Sequence, residues 1–241
     1  MKHLTKQGKL VDGKVVGGIN WVKTIRLDGT ERYGYTWNPL GWGCEYGCPF
    51  CYARKLANRQ LTKCEKCNTF VPHFHPERVD APLQLKEPSK IFPCDMSDLF
   101  GRGIEEDWQS TIFGVIEQTQ HTYLTLTKQG IGTKTRLPTN LWFGVSCHSQ
   151  AMVKEATRIL RYANATHKWV SFEPLLGPVF APDLLDLADW VVIGALSRGK
   201  DKVQPPAKAV ENILDGCERR NIPVWFKNNL EWTPFREEFP R

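Results

Sequence analysis

From residue 88 onward, short apolar runs alternate with segments of helical periodicity, and this alternation limits the folds open to the chain. It is typical of repeated β-α units, which build a parallel sheet. The sequence therefore predicts an α/β fold, a complete or partial (β/α) barrel with about six or seven parallel strands. A doubly wound open sheet is the alternative. The predicted strands are Tyr33–Trp37, Lys90–Pro93, Thr122–Leu126, Leu141–Val145, Trp169–Phe172, Trp190–Ile193 and Val224–Phe226.

Three helices are predicted between these strands. Ser149 stands where it can cap a helix whose apolar face includes Val153 and Leu160. The proline pair at 205–206 opens a second helix, and the acidic residues 105–107 suit the first turn of a third. No linker divides the chain, so residues 1–241 are predicted to form a single domain with an inserted Cys/His loop at about 61–79.

Composition indicates a globular protein of the cytoplasm. Hydrophobic residues make up 41% of the chain and charged residues 24%, and no apolar run approaches the length of a membrane span. Residues 1–18 lack the apolar centre of a signal peptide. We therefore expect a cytoplasmic location and no membrane partner. The net charge of +6 is compatible with a phosphate-bearing partner, although the basic residues are scattered.

The segment that begins at Trp37, WNPLGWGCEYGCPFCYARKLA, carries three closely spaced cysteines: Cys44, Cys48 and Cys51. Three soft thiolate ligands this close together suit an iron–sulfur cluster. Because a cubane cluster has four irons, three cysteines leave one iron open to another ligand. Zinc sites favour paired CxxC spacings and four ligands, so the triplet fits zinc less well.

The spacing CxxxCxxC, with the aromatic Phe50 directly before the third cysteine, resembles the cluster motif of the radical S-adenosylmethionine (SAM) superfamily. The resemblance implies a [4Fe–4S] cluster whose open iron is chelated by the methionine part of SAM. The resemblance also implies that an electron donor such as flavodoxin or ferredoxin reduces this cluster. One electron then cleaves SAM to methionine and a 5′-deoxyadenosyl radical, which abstracts hydrogen from a substrate.

A narrower resemblance extends over most of the chain. In order, the segments WNPLGWGCEYGCPFCYARKLA, HPERVDAPLQLKEPSKIFPCDMSDLFG, LTLTK, LWFGVS, FEPLLGP and VVIGA resemble the phage Gp37/Gp68 proteins, the DUF5131 family. The chain departs from that pattern at residues 195–197, where a glycine pair and a glutamate are expected. It departs again at residues 227–230, where Lys-Gln-Trp-Gly is expected. Both departures follow predicted strands, so the substrate pocket is expected to differ from that of typical members.

The loop after the second predicted strand carries Asp95, Ser97 and Asp98. In the radical SAM superfamily this loop meets the amino group of the cofactor's methionine part, and the resemblance implies that contact here. Helix capping is the alternative role for these side chains. Cys94 is predicted to be buried.

Other candidates stand at the ends of later strands. By the same resemblance, Ser146 is expected to contact the ribose and the methionine carboxylate, and Gly194 to let the backbone approach the adenine. Glu173 is predicted to bind, because a carboxylate in a barrel mouth is costly unless paired. Lys128 and Lys227 could bind a carboxylate or phosphate, or extend into solvent.

A second cysteine pair, Cys64 and Cys67, is followed by His73 and His75. Two thiolates and two imidazoles would complete a tetrahedral zinc site. A loop with two free thiols and an auxiliary cluster are the alternatives.

The leading hypothesis is a radical SAM enzyme acting on a small-molecule or nucleic-acid substrate, with a base or nucleotide favoured by the phage resemblance. One alternative is a zinc-dependent nucleic-acid-binding protein, based on the second cysteine pair. Another is a cluster-bearing electron-transfer protein, which would need a fourth cysteine ligand such as Cys94.

Overall fold

The computed structural model describes residues 2–59, 62–130, 136–199 and 201–240. Met1 and Arg241, the bounds of the predicted domain, and Leu61, the start of the predicted insertion, lie outside the described residues. The helices are α1 (Tyr52–Ala57), α2 (Glu65–Asn68), α3 (Glu106–Glu117), α4 (Val153–Tyr162), α5 (Pro182–Leu185) and α6 (Ala207–Glu218), with 3-10 turns at Asn20–Val22, Pro76–Arg78, Ala81–Gln84 and Gln150–Met152. In none of the described stretches is a helix long and apolar enough to cross a membrane.

The strands fall into one large sheet and three small hairpin-like pairs. The large sheet contains β1 (Leu4–Lys6), β6 (Tyr35–Trp37), β7 (Lys90–Pro93), β8 (Thr122–Thr127), β9 (Leu141–Ser146), β10 (His167–Phe172), β11 (Trp190–Ile193) and β14 (Val224–Phe226). The small pairs are β2 (Lys9–Val11) with β3 (Lys14–Val16), β4 (Thr24–Ile25) with β5 (Glu31–Arg32), and β12 (Leu196–Arg198) with β13 (Asp201–Val203).

The eight-stranded sheet has the order β1-β6-β7-β8-β9-β10-β11-β14. β1 runs antiparallel to β6, and the other pairs are parallel. All seven predicted strands therefore exist and lie side by side in sequence order. Within the described residues the edge strands β1 and β14 do not pair with each other, so the sheet is open and the complete barrel among the predicted forms is wrong.

The helices cover one face of the sheet. Apolar residues of α3, α4, α5 and α6 pack against outward-facing strand residues such as Phe143, Val170 and Val191. A doubly wound sheet has helices on both faces. Here, among the described residues, the core on the opposite face contains strand residues and the turn Asn20–Val22 rather than those helices. The arrangement is that of a β/α barrel that stays open.

Indole rings fill this concave face. Trp169 and Trp190 stand opposite each other on β10 and β11, with ring centroids 5.0 Å apart. Trp21 packs on both, at 5.2 Å from Trp169 and 6.3 Å from Trp190. Gly144 on β9 makes room for this layer, because a Cβ there would lie 2.4 Å from Trp169 Cε2. All three tryptophans are at most 1% exposed.

The predicted helices are also present, with one difference in detail. Acidic residues 106 and 107 lie in the first turn of α3, and α6 begins directly after Pro206. The helix predicted after Ser149 begins as a 3-10 turn and continues as α4. Ser149 occupies the N-cap of that turn, but its side chain makes no capping hydrogen bond in the described structure, so the predicted cap is wrong.

Candidate functional site

A cavity of about 400 Å³ opens at the carboxyl ends of the parallel strands. Because parallel strands end at a common edge, residues that follow different strands meet there. The cavity has the size of a small-ligand site. Its walls include Cys44, Cys48, Phe50, Cys51, Asp95, Ser97, Asp98, Leu126, Lys128, Ser146, Ser171, Glu173, Ser197 and Lys227, with Trp21 and Phe92 among the apolar residues.

All three cysteines of the predicted cluster motif line this cavity: Cys44, Cys48 and Cys51. They lie on the loop that connects β6 to α1. Cys51 directly precedes α1, and its Sγ accepts a hydrogen bond from the backbone N–H of Arg54 at 3.4 Å. The guanidinium of Arg54 donates to the carbonyl oxygen of Cys44 at 3.1 Å, which closes the loop on itself. All eight cysteines, each within the described residues, have free thiols.

The loop depends on close backbone contact. A Cβ at Gly43 would lie 2.3 Å from the carbonyl carbon of Val71, so only glycine fits there. Gly43 also donates its N–H to Met96 O at 3.1 Å and pairs with Ser97 as a parallel bridge. These contacts join the cysteine loop to the loop after β7.

Burial raises the pKa of Cys44 to about 11 and raises that of Cys48, in the latter case against the nearby positive charge of Lys128. Protonated thiols are therefore stable without a cation. Since cysteine binds metals as the thiolate, a metal ion would have to displace these protons.

Asp98 fixes the loop after β7 through hydrogen bonds to its carboxylate. Its carboxylate accepts hydrogen bonds from Thr127 Oγ1 at 3.0 Å, the Lys128 N–H at 3.2 Å and the Phe100 N–H at 3.1 Å. Burial nevertheless raises the pKa of Asp98. The carboxylate thus ties the end of β8 to the loop after β7, and this position fits a structural role within the cavity wall.

Asp95 lies at the start of the same loop and also lines the cavity. Asn38 Nδ2 donates to Asp95 Oδ1 at 2.6 Å, and the Tyr52 hydroxyl donates to the Asp95 carbonyl oxygen. Burial raises the pKa of Asp95 to about 6.

Its neighbour Cys94 is 2% exposed and packs in the apolar core. It is not among the described residues that line the cavity, as predicted for a buried thiol.

Two hydroxyl groups at the cavity are buried without a partner. Ser97 Oγ and Ser171 Oγ make no hydrogen bond to any described residue. Ser171 is 1% exposed, and it stands opposite Ser146 in the pairing of β10 with β9. Burying an unsatisfied hydroxyl costs free energy, so both groups are suited to bind a ligand in the cavity.

Sequence reasoning missed Ser171. The available signal was a polar residue on the same strand face as Trp169, two positions further toward the cavity edge. Side chains alternate along a strand, so this spacing puts both residues on the concave face.

Glu173 and Lys227, predicted separately, form an ion pair at the ends of β10 and β14. Gly194 lies behind them, since a Cβ there would be 3.0 Å from Lys227 Cδ and 3.1 Å from Glu173 Cγ. Gly194 thus gives room to the ion pair, and it is not among the described residues that line the cavity. Its predicted contact with an adenine stays a prediction.

Phe50, predicted from the motif, lines the cavity beside the cysteines. Its ring meets the imidazole of His148 edge-on, with centroids 5.0 Å apart. The aromatic position before the third cysteine is therefore a wall of the cavity.

The second cysteine pair forms a separate group. The ligand atoms of Cys64, Cys67, His73 and His75 all lie within 4.8 Å of one another and could hold a metal ion. None of these four residues is among the described residues that line the cavity.

The match to the family DUF5131, described as proteins of unknown function, covers residues 28–238. The chain is a member of the DUF5131 family. No curated protein matches it. Among solved structures, it is similar to a radical SAM methyltransferase from Sphaerobacter thermophilus, with a TM-score of 0.50 and 11% identity over 93% of this chain and 77% of that one. At this identity the similarity concerns the fold of this DUF5131 member.

Proposed function

We propose that this DUF5131 protein is a radical SAM enzyme. The observation that carries the proposal is the position of Cys44, Cys48 and Cys51 in one cavity, at the sheet edge where β/α barrels bind their ligands. The fold similarity to a radical SAM methyltransferase supports it. Cytoplasmic location, where thiols stay reduced, and reduction by flavodoxin or ferredoxin belong to the same proposal.

The residues of the cavity fit the cofactors. The three thiols supply the ligand set of a [4Fe–4S] cluster with one open iron. The unpartnered hydroxyls of Ser97 and Ser171 offer hydrogen bonds to the polar groups of SAM. When bound, the cluster supplies the electron that cleaves SAM to methionine and a 5′-deoxyadenosyl radical.

The chain's own residues would hold SAM and the substrate in place and exclude water. Asp95 and Ser97 line the part of the cavity nearest the cysteine loop, where Gly43 bridges to Ser97. They are our candidates for the amino group of the methionine part. Ser146 and Ser171 stand on adjacent strands above the indole layer and are candidates for the ribose and carboxylate. Phe50 forms an apolar part of the wall.

The electron-transfer alternative loses support from the position of Cys94. A cluster with four cysteine ligands would need a fourth thiol beside the three of the motif. Cys94 is packed in the apolar core behind the cavity wall, where burial raises its pKa to about 12.

Reductive cleavage of SAM tests the proposal. After anaerobic reconstitution with iron and sulfide, the protein reduced with dithionite should bind about four irons per chain and form 5′-deoxyadenosine from SAM. The triple variant Cys44→Ala, Cys48→Ala, Cys51→Ala should do neither. The matched control is Cys217→Ala, which removes a thiol from the helical core and should keep both properties. A folded wild-type protein that binds no cluster and cleaves no SAM would refute the proposal.

Ser171→Ala tests the cofactor position. Removing one hydrogen bond should weaken SAM binding by about 2-fold to about 10-fold, measured by calorimetry on the anaerobically reconstituted protein. The melting temperature should stay unchanged, because the hydroxyl has no hydrogen-bond partner within the described structure. Ser89→Ala is the control, since its buried hydroxyl donates to Glu87 O at 2.9 Å away from the cavity. That variant should lose stability and keep its SAM affinity. Unchanged affinity in Ser171→Ala would contradict the assignment.

For the substrate that acts together with SAM, we propose a nucleic-acid base or a nucleotide. Lys128 brings positive charge to the cavity wall, and the whole chain carries a net charge of +6. Electrophoretic shift and nucleotide-titration assays at low salt should detect binding. Absence of affinity for DNA, RNA and nucleotides would exclude this substrate class and leave a different small molecule.

A further inference from the structure

The group Cys64, Cys67, His73 and His75 has the spacing of a tetrahedral metal site. Cys64 Sγ lies 3.2 Å from His73 Nε2, Cys67 Sγ lies 3.5 Å from His75 Nε2, and the two Nε2 atoms are 2.9 Å apart. Zinc bonds of about 2.3 Å to sulfur and about 2.0 Å to nitrogen would separate S from N by about 3.5 Å and N from N by about 3.3 Å. These three distances are close to those that zinc requires, and all four ligand atoms lie within 4.8 Å of one another.

Hydrogen bonds fix which nitrogen of each imidazole faces that point. His73 Nδ1 lies 2.7 Å from Val71 O, and His75 Nδ1 lies 2.7 Å from Glu77 Oε1. Both oxygens are acceptors, so each Nδ1 carries the proton and donates. In the neutral imidazoles, each Nε2 then presents a lone pair toward the other. Two lone pairs 2.9 Å apart repel unless a cation lies between them, and a metal-bound histidine makes this same outer hydrogen bond through its second nitrogen.

The segment that carries His73 and His75 also contacts the loop of the proposed cluster. The Gly41 N–H donates to His73 O and the His75 N–H donates to Pro39 O, both at 2.8 Å. Leu40 pairs with Phe74 as an antiparallel bridge. A Cβ at Gly41 would lie 1.9 Å from His73 Cε1, so the backbone at Gly41 rests directly on the imidazole.

We infer that Cys64, Cys67, His73 and His75 bind a structural zinc ion, and that this ion fixes residues 71–75 as the support on which residues 39–43 lie. Because residues 39–43 lead directly into Cys44, the zinc site sets the position of the cluster loop. Four protein ligands close the coordination sphere, which is typical of a structural rather than a catalytic zinc. The zinc site itself is independent of the proposed function, whereas its effect on the cluster rests on it.

Metal content tests the site. Wild-type protein purified with zinc present should contain one zinc ion per chain, and the double variant Cys64→Ser, Cys67→Ser should contain none. Cobalt(II) in place of zinc should give the intense visible absorption of a tetrahedral thiolate site in the wild type and not in the double variant. The triple variant of Cys44, Cys48 and Cys51 should keep its zinc. Wild-type protein without zinc, or iron bound to the Cys/His group in that triple variant, would overturn the inference.

Cluster loading tests the coupling. The double variant should melt at a lower temperature and take up less iron on reconstitution. Gly43→Ala keeps all four ligands, and its Cβ would meet the backbone of Val71 and Pro72 rather than a ligand atom. It should therefore push the loop off its support, retain zinc and lose cluster iron. Gly114→Ala is the matched control, because nothing described lies within 4 Å of a Cβ there, and it should keep both metals. Full iron loading in Gly43→Ala or in a folded, zinc-free double variant would contradict the coupling. Wild-type protein with zinc but no cluster would support the zinc site and contradict the proposed function.

Discussion

Packing of indole rings on the concave face of the sheet decides where a ligand can lie. Trp21, Trp169 and Trp190 are nearly completely buried in contact with one another, and they fill the space between the open sheet and the turn at residues 20–22. Each aromatic ring buries a large apolar area, so displacing this layer would be costly. Toward the carboxyl edge the inward positions change to the small hydroxyl residues Ser146 and Ser171. The cavity therefore opens at the edge where the strands end.

Sequence patterns identified the strands whose residues are buried throughout. The bounds of β7, β11 and β14 were predicted without error, because each is a fully buried run between polar or turn-forming residues. The short strands β2, β3 and β13 were not predicted. They are only three residues long and mostly exposed, and pairing with a neighbour rather than hydrophobic pattern makes them strands. Hydrophobic periodicity also could not predict whether the barrel closes. It shows which face of each element is buried, but not how far the sheet curves.

The candidate site was predictable to the extent that its residues are close in sequence. The three cysteines lie within eight residues, and the four Cys/His ligands lie within twelve. By contrast, the ion pair of Glu173 and Lys227 joins positions 54 residues apart, and the packing of Gly41 on His73 joins the two cysteine groups. Such contacts depend on the order of the strands and on the path of the insertion. The sequence contains the residues, but only the folded chain shows which of them meet.

The proposed function depends on an open iron that binds SAM directly. Electron paramagnetic resonance of the reconstituted, dithionite-reduced protein tests it most directly, with spectra recorded before and after the addition of SAM. We expect the signal of a reduced [4Fe–4S] cluster whose g-values shift when SAM coordinates the open iron, and no such signal in the triple variant of Cys44, Cys48 and Cys51. A cluster spectrum that SAM leaves unchanged, or one that persists in the triple variant, would contradict the proposed function.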